Sequence, residues 1–425
     1  MISLCNSASS ASALRGSRIA RRYPAEVDDP SLQRWAASGA MALTGWPDQP
    51  LGPPRGLVEG IDRLGRSFPG LDALALLGER AALMGLWRRG STSCGGSCRL
   101  LPSADGFLAV SLPRDDDTEM VPAWLELDEA PASAPALWST VASKLVSGDP
   151  HALTERAQLL GLPVARVGEA AAPTPRAPTL ETQLGQAPPR HDITGILVVD
   201  LSALWAGPLC GDLLARAGAT VVKVESPQRP DGARRGSRAF FDLLNGRKRS
   251  IAIDLQSNAG RRALHGLVRR ADVVIEASRP RALAQFGLDG PDVLSADRGP
   301  RVWVSITGYG RTGEDGNRVA FGDDAAAAGG LVTWTDQGPL FCADAAADPL
   351  TGLTAAGAAL DALHLGGRRH LDVSMAADSA ALAGPTLRVP VGLAVAEPRA
   401  RPVAARAPDM GADTVAVLAD LGIDG

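Results

Sequence analysis

Residues 195–227, GILVVDLSALWAGPLCGDLLARAGATVVKVESP, decide the fold. The opening run GILVVDLS is a continuous β-branched run, GPLCGDLLARAGA has helical spacing, and TVVKVES is a second run with the character of a buried strand. An amphipathic segment between two such runs makes a βαβ unit, because parallel neighbours need a crossover connection and a strand buried on both faces loses its polar alternation. The pattern recurs downstream in RSIAIDL, AGRRALHGLVRRA, DVVIEAS and PRVWVSITGYG. These repeats predict an α/β fold, a Rossmann-like parallel sheet with flanking helices, and the preceding residues add a smaller α+β domain.

Working outward, residues 169–191 (EAAAPTPRAPTLETQLGQAPPRH) carry five prolines and no apolar period, and read as a linker. Before it, residues 31–168 hold helical stretches at LDALALLGERAALMGLW and ALWSTVASKLV, and a strand at GFLAVSL after the turn signal SADG. The expected organisation is a disordered start over 1–30, an N-terminal region over 31–168, the linker, a catalytic domain over 192–390, and a tail segment over 391–425 that packs on it. Residues 37–49 (ASGAMALTGWPDQ) echo residues 325–337 (AAAAGGLVTWTDQ), with Trp, Asp and Gln in register. Degenerate duplication and shared small-residue bias both account for the match.

The 425 residues bury a core of two or three domains. A formal charge of -4 gives no global attraction to nucleic acid or an anionic membrane, so an anionic ligand must be met by local cations. Five scattered cysteines suit a reducing cytoplasm, and Cys94 and Cys98 lack the second pair a zinc site needs. No metal is expected. No apolar run reaches the roughly 18 residues of a membrane helix, and the N-terminus lacks the apolar core of a signal peptide.

Ligands of open α/β sheets gather beyond the carboxyl ends of the strands. Four loops qualify: SALWAGP, ESPQRPDGARRG, DLQSNAG and ASRPRAL. None carries a dinucleotide fingerprint or a P-loop. Near them stand Arg229, Arg234, Arg235, Arg247, Lys248, Arg249 and Arg279, which read either as a phosphate-binding set or as a solvated basic face. In CADAAADPLTG, residues 342–352, Asp348 precedes Pro349 and reads as the N-cap of a helix with proline at its first position. A capping carboxylate alone explains that pattern, and so does a carboxylate held for chemistry.

Seven segments bear on that choice. VVDLSALWAGPLCGDLLARAGATVVKVESP resembles the opening of the type III CoA-transferases, the superfamily of formyl-CoA transferase, carnitine CoA-transferase and α-methylacyl-CoA racemase. The resemblance continues in family order through NGRKRSIAIDL, ADVVIEASRPRALAQFGL, VSITGYGRTG, ADPLTG, GGRRHLDVSM and APDMGADTVAVLADLG. It implies that Asp348 is a nucleophile toward acyl-CoA, forming an aspartyl anhydride and then an aspartyl-CoA thioester on the way to a new acyl-CoA. It implies CoA contacts at Trp205 and Ala206, at Asp254 and Leu255, and at Ser278 and Arg279. CoA and acyl-CoA are then substrates, with no tightly bound cofactor. Carboxylic acids are the other partners, and family members form interlocked homodimers.

Three departures qualify the resemblance. EASRPR stands where the family has ENFRPG, and the stretch after GYGRTG lacks the His of the racemase branch, leaving Asp323 and Asp324. A His/Asp proton relay is thus missing, which favours CoA transfer over 2-methylacyl-CoA racemisation. The family's inserted small domain is absent between Met375 and Arg401, and its counterpart sits at the front, in CRLLPSADGFLAVSLPRDDD and LTERAQLLGLPVARVGE. Asp62 in EGIDRLG has no following proline and is not expected to act. A CoA-binding homologue without turnover is the remaining alternative.

Overall fold

A computed structural model describes residues 29–171 and 176–423. The tail expected over 1–30 falls outside them up to residue 28. At the boundary, Asp29 caps the helix Pro30–Ser38 by accepting from the Ser31 N–H at 2.9 Å.

The N-terminal region begins with a hairpin of β1 (Gly45–Trp46) and β2 (Gln49–Pro50), followed by the helix Arg55–Gly65. LDALALLGERAALM becomes a 3-10 turn, Leu74–Gly78, running into the short helix Glu79–Met84, which Gly85 ends in the left-handed region. An antiparallel sheet follows, made of β3 (Cys98–Pro102), β4 (Phe107–Ser111) and β5 (Val164–Arg166). Helices Asp115–Leu125, Ala134–Leu145 and Pro150–Leu159 cover it, and Leu108, Val110, Val121, Trp124, Val141 and Leu145 form their shared core. This is the smaller α+β unit.

The main sheet has seven strands: β6 (Thr179–Gly185), β7 (Leu197–Asp200), β8 (Thr220–Glu225), β9 (Arg249–Ala252), β10 (Val273–Glu276), β11 (Val302–Thr307) and β14 (Arg368–Ser374). A separate hairpin of β12 (Val332–Thr335) and β13 (Gly338–Phe341) stands outside it. The spatial order is β6-β14-β11-β10-β7-β8-β9, parallel throughout except at β6. Part of the stretch read as linker therefore forms the antiparallel edge strand. Its proline-free segment TLETQLG lies mostly in solvent, and an edge strand buried on neither face gives no apolar period to read.

Alternate residues of the inner strands feed two cores. Val198, Val221, Val273, Ile275, Val302 and Val304 face the helices Ala206–Ala217 and Ala347–Leu365. Val199, Val222, Val274 and Trp303 face the helix Asn258–Arg270 and the C-terminal helix Thr414–Asp420. Burial on both faces explains the unbroken β-branched runs. The chain order reverses between β7 and β10, so the loops after these two strands, at residues 201–205 and 277–279, flank a switch-point crevice at the carboxyl edge.

The echo has a structural counterpart. Residues 37–49 and 325–337 each leave a helix and enter a hairpin with the tryptophan, Trp46 or Trp334, on the first strand.

Candidate functional site

The helix Ala347–Leu365 starts with Ala346 as its cap, which places Asp348 at the second helical position and corrects the expected N-cap assignment. The cause is a tight approach to the helix: Ala343 (φ 61°) and Ala345 (φ 45°) both adopt left-handed backbone, and the Asp348 N–H donates to the Ala345 carbonyl at 2.9 Å. Each such residue costs about 1 kcal/mol or more, because its Cβ crowds the following carbonyl. Strain of this kind concentrates at functional sites.

Released from capping, the carboxylate turns toward its neighbours. A Cβ on Gly322 would fall 2.3 Å from Asp348 Oδ2, so glycine there makes the room for it. The Ala206 N–H, at the start of the helix Ala206–Ala217, faces the carboxylate and favours its charged form. Gly352, one turn on, packs against the Ala206 carbonyl and Leu209, which locks the two helices together. Asp348 keeps a partial opening to solvent while Ala347, Pro349 and Leu350 around it are buried.

Burial pushes the Asp348 carboxyl up to about 7; the Arg80 guanidinium opposes the shift, and the negative charge of Asp323 adds to it. Asp323 is itself raised to about 6, chiefly by burial, although it accepts from the Ala345 N–H at 3.2 Å. Asp324 serves differently. It caps the helix Gly322–Ala328, accepting from the Phe321 N–H at 3.0 Å, and is fully buried.

Two contributors were not legible in the sequence. Arg80, from the N-terminal region, forks onto Asp344, with Nε 2.9 Å from Oδ2 and Nη2 2.6 Å from Oδ1. Its guanidinium also lies 5.0 Å from the centroid of the Trp205 ring. No local pattern could have paired residues 264 positions apart.

The residues expected to touch CoA occupy the switch-point edge. Trp205 is buried at the helix start against Phe240, and its indole N–H finds no acceptor among the described residues. Leu204 before it takes φ 71°, and its N–H donates to Asp231 at 3.0 Å. Ser278 follows β10 and donates to Glu276 at 3.2 Å. Arg279 starts the next short helix, and the charges of Arg281, Arg114 and Arg229 gather near it. Asp254, preceding the partly buried Leu255, accepts from the Gln228 side chain at 2.9 Å, on the loop after β9. Trp205, Ala206, Ser278 and Arg279 thus flank one crevice, and Asp254 and Leu255 lie two strands further along the same edge.

The basic set divides. Arg234 pairs with Glu225, Arg247 with Asp212, Lys248 with Asp200 and Arg249 with Asp420, so these four serve the framework. Arg229, Arg235 and Arg279 have no ion-pair partner among the described residues. Asp62 pairs with Arg34 on the surface. Cys94 and Cys98 are buried free thiols, and no cluster of three metal-ligating side chains occurs among the described residues. No helix among them is long and apolar enough to cross a membrane.

A strained turn and a partly exposed carboxylate at a helix start lie at the switch-point edge of a doubly wound parallel sheet. The sequence profile of CoA-transferase family III matches residues 193–413, and the chain belongs to that family. It is 34% identical over 189 residues to the succinyl-CoA–D-citramalate CoA-transferase of Chloroflexus aurantiacus, covering 42% of this chain and 46% of that protein. It is 32% identical over 237 residues to the succinate–glutarate CoA-transferase of Agrobacterium fabrum, covering 49% and 59%. The formyl-CoA:oxalate CoA-transferase of Escherichia coli is 32% identical over 172 residues, covering 38% and 41%. A CaiB/BaiF family protein from Brucella suis superposes with a TM-score of 0.41 at 33% identity, over 44% of this chain and 54% of that one. The chain spans about half the length of the curated relatives it matches.

Proposed function

We propose that the protein transfers CoA between carboxylic acids, with Asp348 as the nucleophile. The observation that carries the reading is the placement of Asp348: half-open at a helix start, facing the Ala206 N–H, with its carboxyl raised to about 7. A carboxylate of that basicity is a better nucleophile than an ordinary aspartate and is still about half ionised near neutral pH. The names of the relatives, all of them CoA-transferases, support the same class of reaction.

In this reading Asp348 adds to the thioester carbonyl of a donor acyl-CoA, the C–S bond breaks, and an aspartyl–acyl anhydride and CoA thiolate result. The thiolate then attacks the aspartyl carbonyl and releases the donor acid as its carboxylate. An acceptor carboxylate attacks the aspartyl-CoA thioester, giving a second anhydride. The returning thiolate takes the acceptor acyl group and frees Asp348. In this reading the Ala206 N–H stabilises oxyanions formed at residue 348, and Trp205, Ser278 and Arg279 hold CoA. The acidic partner is a carboxylic acid, and the assembly, by analogy with the family, a homodimer.

Racemisation has less support. The five histidines are engaged elsewhere: His151 with Arg166, His191 with His364, His265 with the Phe286 carbonyl and His370 with Ser305. The test is a panel of acyl-CoA thioesters incubated with the protein and quenched with hydroxylamine. Intact mass should show an aspartyl hydroxamate on the Asp348 peptide, absent in Asp348→Asn. Binding without that adduct would replace the proposal with a CoA-binding protein that does not turn over.

A further inference from the structure

Arg80 lies on the helix Glu79–Met84, more than a hundred residues before the stretch matched by the family profile. Three constraints fix its side chain. The buried Asp344 holds two of its N–H groups, the Trp205 ring underlies its face, and the helix it stands on is anchored from behind. That anchor is Arg401, which reaches Glu79 Oε2 and Asp212 Oδ2, each at 2.9 Å, and so ties the Arg80 helix to the helix Ala206–Ala217. Glu79 and Asp212 are both fully buried. Three of the five N–H donors of the Arg80 guanidinium are not used on Asp344.

We propose that Arg80, clamped by Asp344, is a positioning residue of the Asp348 site: a fixed cation from the N-terminal half that holds Asp348 in its anionic, reactive form. The inference rests on Asp348 being the reactive carboxyl of the site. Groups from four elements bear on Asp348. Asp323 comes from the helix Gly322–Ala328, Asp344 from the strained loop, Arg80 from the N-terminal helix, and the Ala206 amide from the neighbouring helix. The Cys94 thiol faces Asp344 and Asp323, and burial keeps it neutral. Arg80 is thus a cation whose charge bears on three carboxylates, Asp344, Asp323 and Asp348. Asp344 fixes its geometry and also cancels part of its charge.

This arrangement makes two substitutions act in opposite directions. Arg80→Gln removes the cation and makes Asp348 harder to ionise. Asp344→Asn removes an anion, keeps one of the two acceptors of the Arg80 fork, and makes Asp348 easier to ionise. A purely structural role would move neither, or both in one direction.

The readout is labelling of the residue 348 carboxyl in the full-length protein by a water-soluble carbodiimide with a small amine, from pH 5 to pH 9. Peptide mass analysis follows, with Asp348→Asn identifying the peptide. Reaction needs the protonated carboxyl, so the pH of half-maximal labelling reports its ionisation. Arg80→Gln should raise that pH by about one unit or more, a tenfold loss of anion below the midpoint. Asp344→Asn should lower it, and Arg80→Lys should return it toward the wild-type value. An unmoved midpoint, or shifts of the same sign in Arg80→Gln and Asp344→Asn, would overturn the proposal. If Arg80→Gln does not fold, Asp344→Asn and Arg80→Lys still decide the matter. Should Asp348→Asn continue to transfer CoA, the proposed function fails while the titration still judges the role of Arg80.

Discussion

Asp348→Asn should stabilise the protein while abolishing its covalent chemistry, and the size of the effect should follow pH. The carboxyl is raised from 3.8 to about 7, mainly because it is buried. A group whose pKa is higher in the folded state contributes its full stability only while protonated, and loses it as pH climbs from about 4 to about 7. Each unit corresponds to about 1.4 kcal/mol, so three units set a ceiling of about 4 kcal/mol. The opening to solvent lets water share the charge, and about 2 kcal/mol is the expected gain at pH 8. Asparagine keeps an acceptor for the Ala206 N–H, so little is lost in exchange. Urea unfolding of both proteins at pH 4.5 and pH 8 measures the difference, which should be small at the lower pH and full at the higher. Equal or lower stability of the variant at pH 8 would show that the carboxylate is satisfied in place, and the reading of a strained, basic nucleophile would fall.

Other substitutions probe the surroundings. Gly322→Ala would put a Cβ 2.3 Å from Asp348 Oδ2 and 2.5 Å from the Ala345 carbonyl, so the adduct on Asp348 should fall at least tenfold by mass spectrometry. Asp378, buried in the helix Met375–Leu382 with its Oδ1 accepting from the Thr354 hydroxyl at 3.0 Å, is pushed up to about 7 by burial. Asp378→Asn should therefore stabilise the fold by up to about 4 kcal/mol above pH 7 and leave the pH dependence of labelling at Asp348 unchanged. Arg279→Ala should raise KM for acyl-CoA several-fold with kcat little altered, and the gap should narrow in high salt, as expected for a cation that meets phosphate.

The main sheet was legible because its strands are buried on both faces: GILVVD, TVVKVE and DVVIEA are rich in Val, Ile and Leu, and a helix-period segment follows the first. Asp348 was legible through ADPLTG and the segments around it. Its true place in the helix was not, because Asp-Pro is the ordinary signature of a cap, and only the left-handed turns at Ala343 and Ala345 shift the start by two residues. The strand at Thr179–Gly185 was hidden by its exposure. The basic set was over-read for a related reason: charge in the sequence does not reveal that Lys248 is 2.8 Å from a buried Asp200. Arg80 left no local trace, since its partner is 264 residues away.

The placement of the unfavourable features argues for the site more strongly than any one of them. Several buried charges elsewhere are compensated: Lys223 meets Asp231, Lys248 meets Asp200, and Arg401 meets both Glu79 and Asp212. Around Asp348 the balance is different. Two alanines are held in left-handed backbone, three carboxylates face one guanidinium, and the Trp205 N–H is buried without an acceptor. A fold under no demand but stability would relax these conflicts by substituting asparagine for aspartate or glycine for alanine, each a single change. Their concentration within one crevice, at the switch point of the sheet, is what a site must look like if its carboxylate is to be more basic than solvent would make it and still ionise at neutral pH. In the role proposed for it, Arg80 reconciles those two demands.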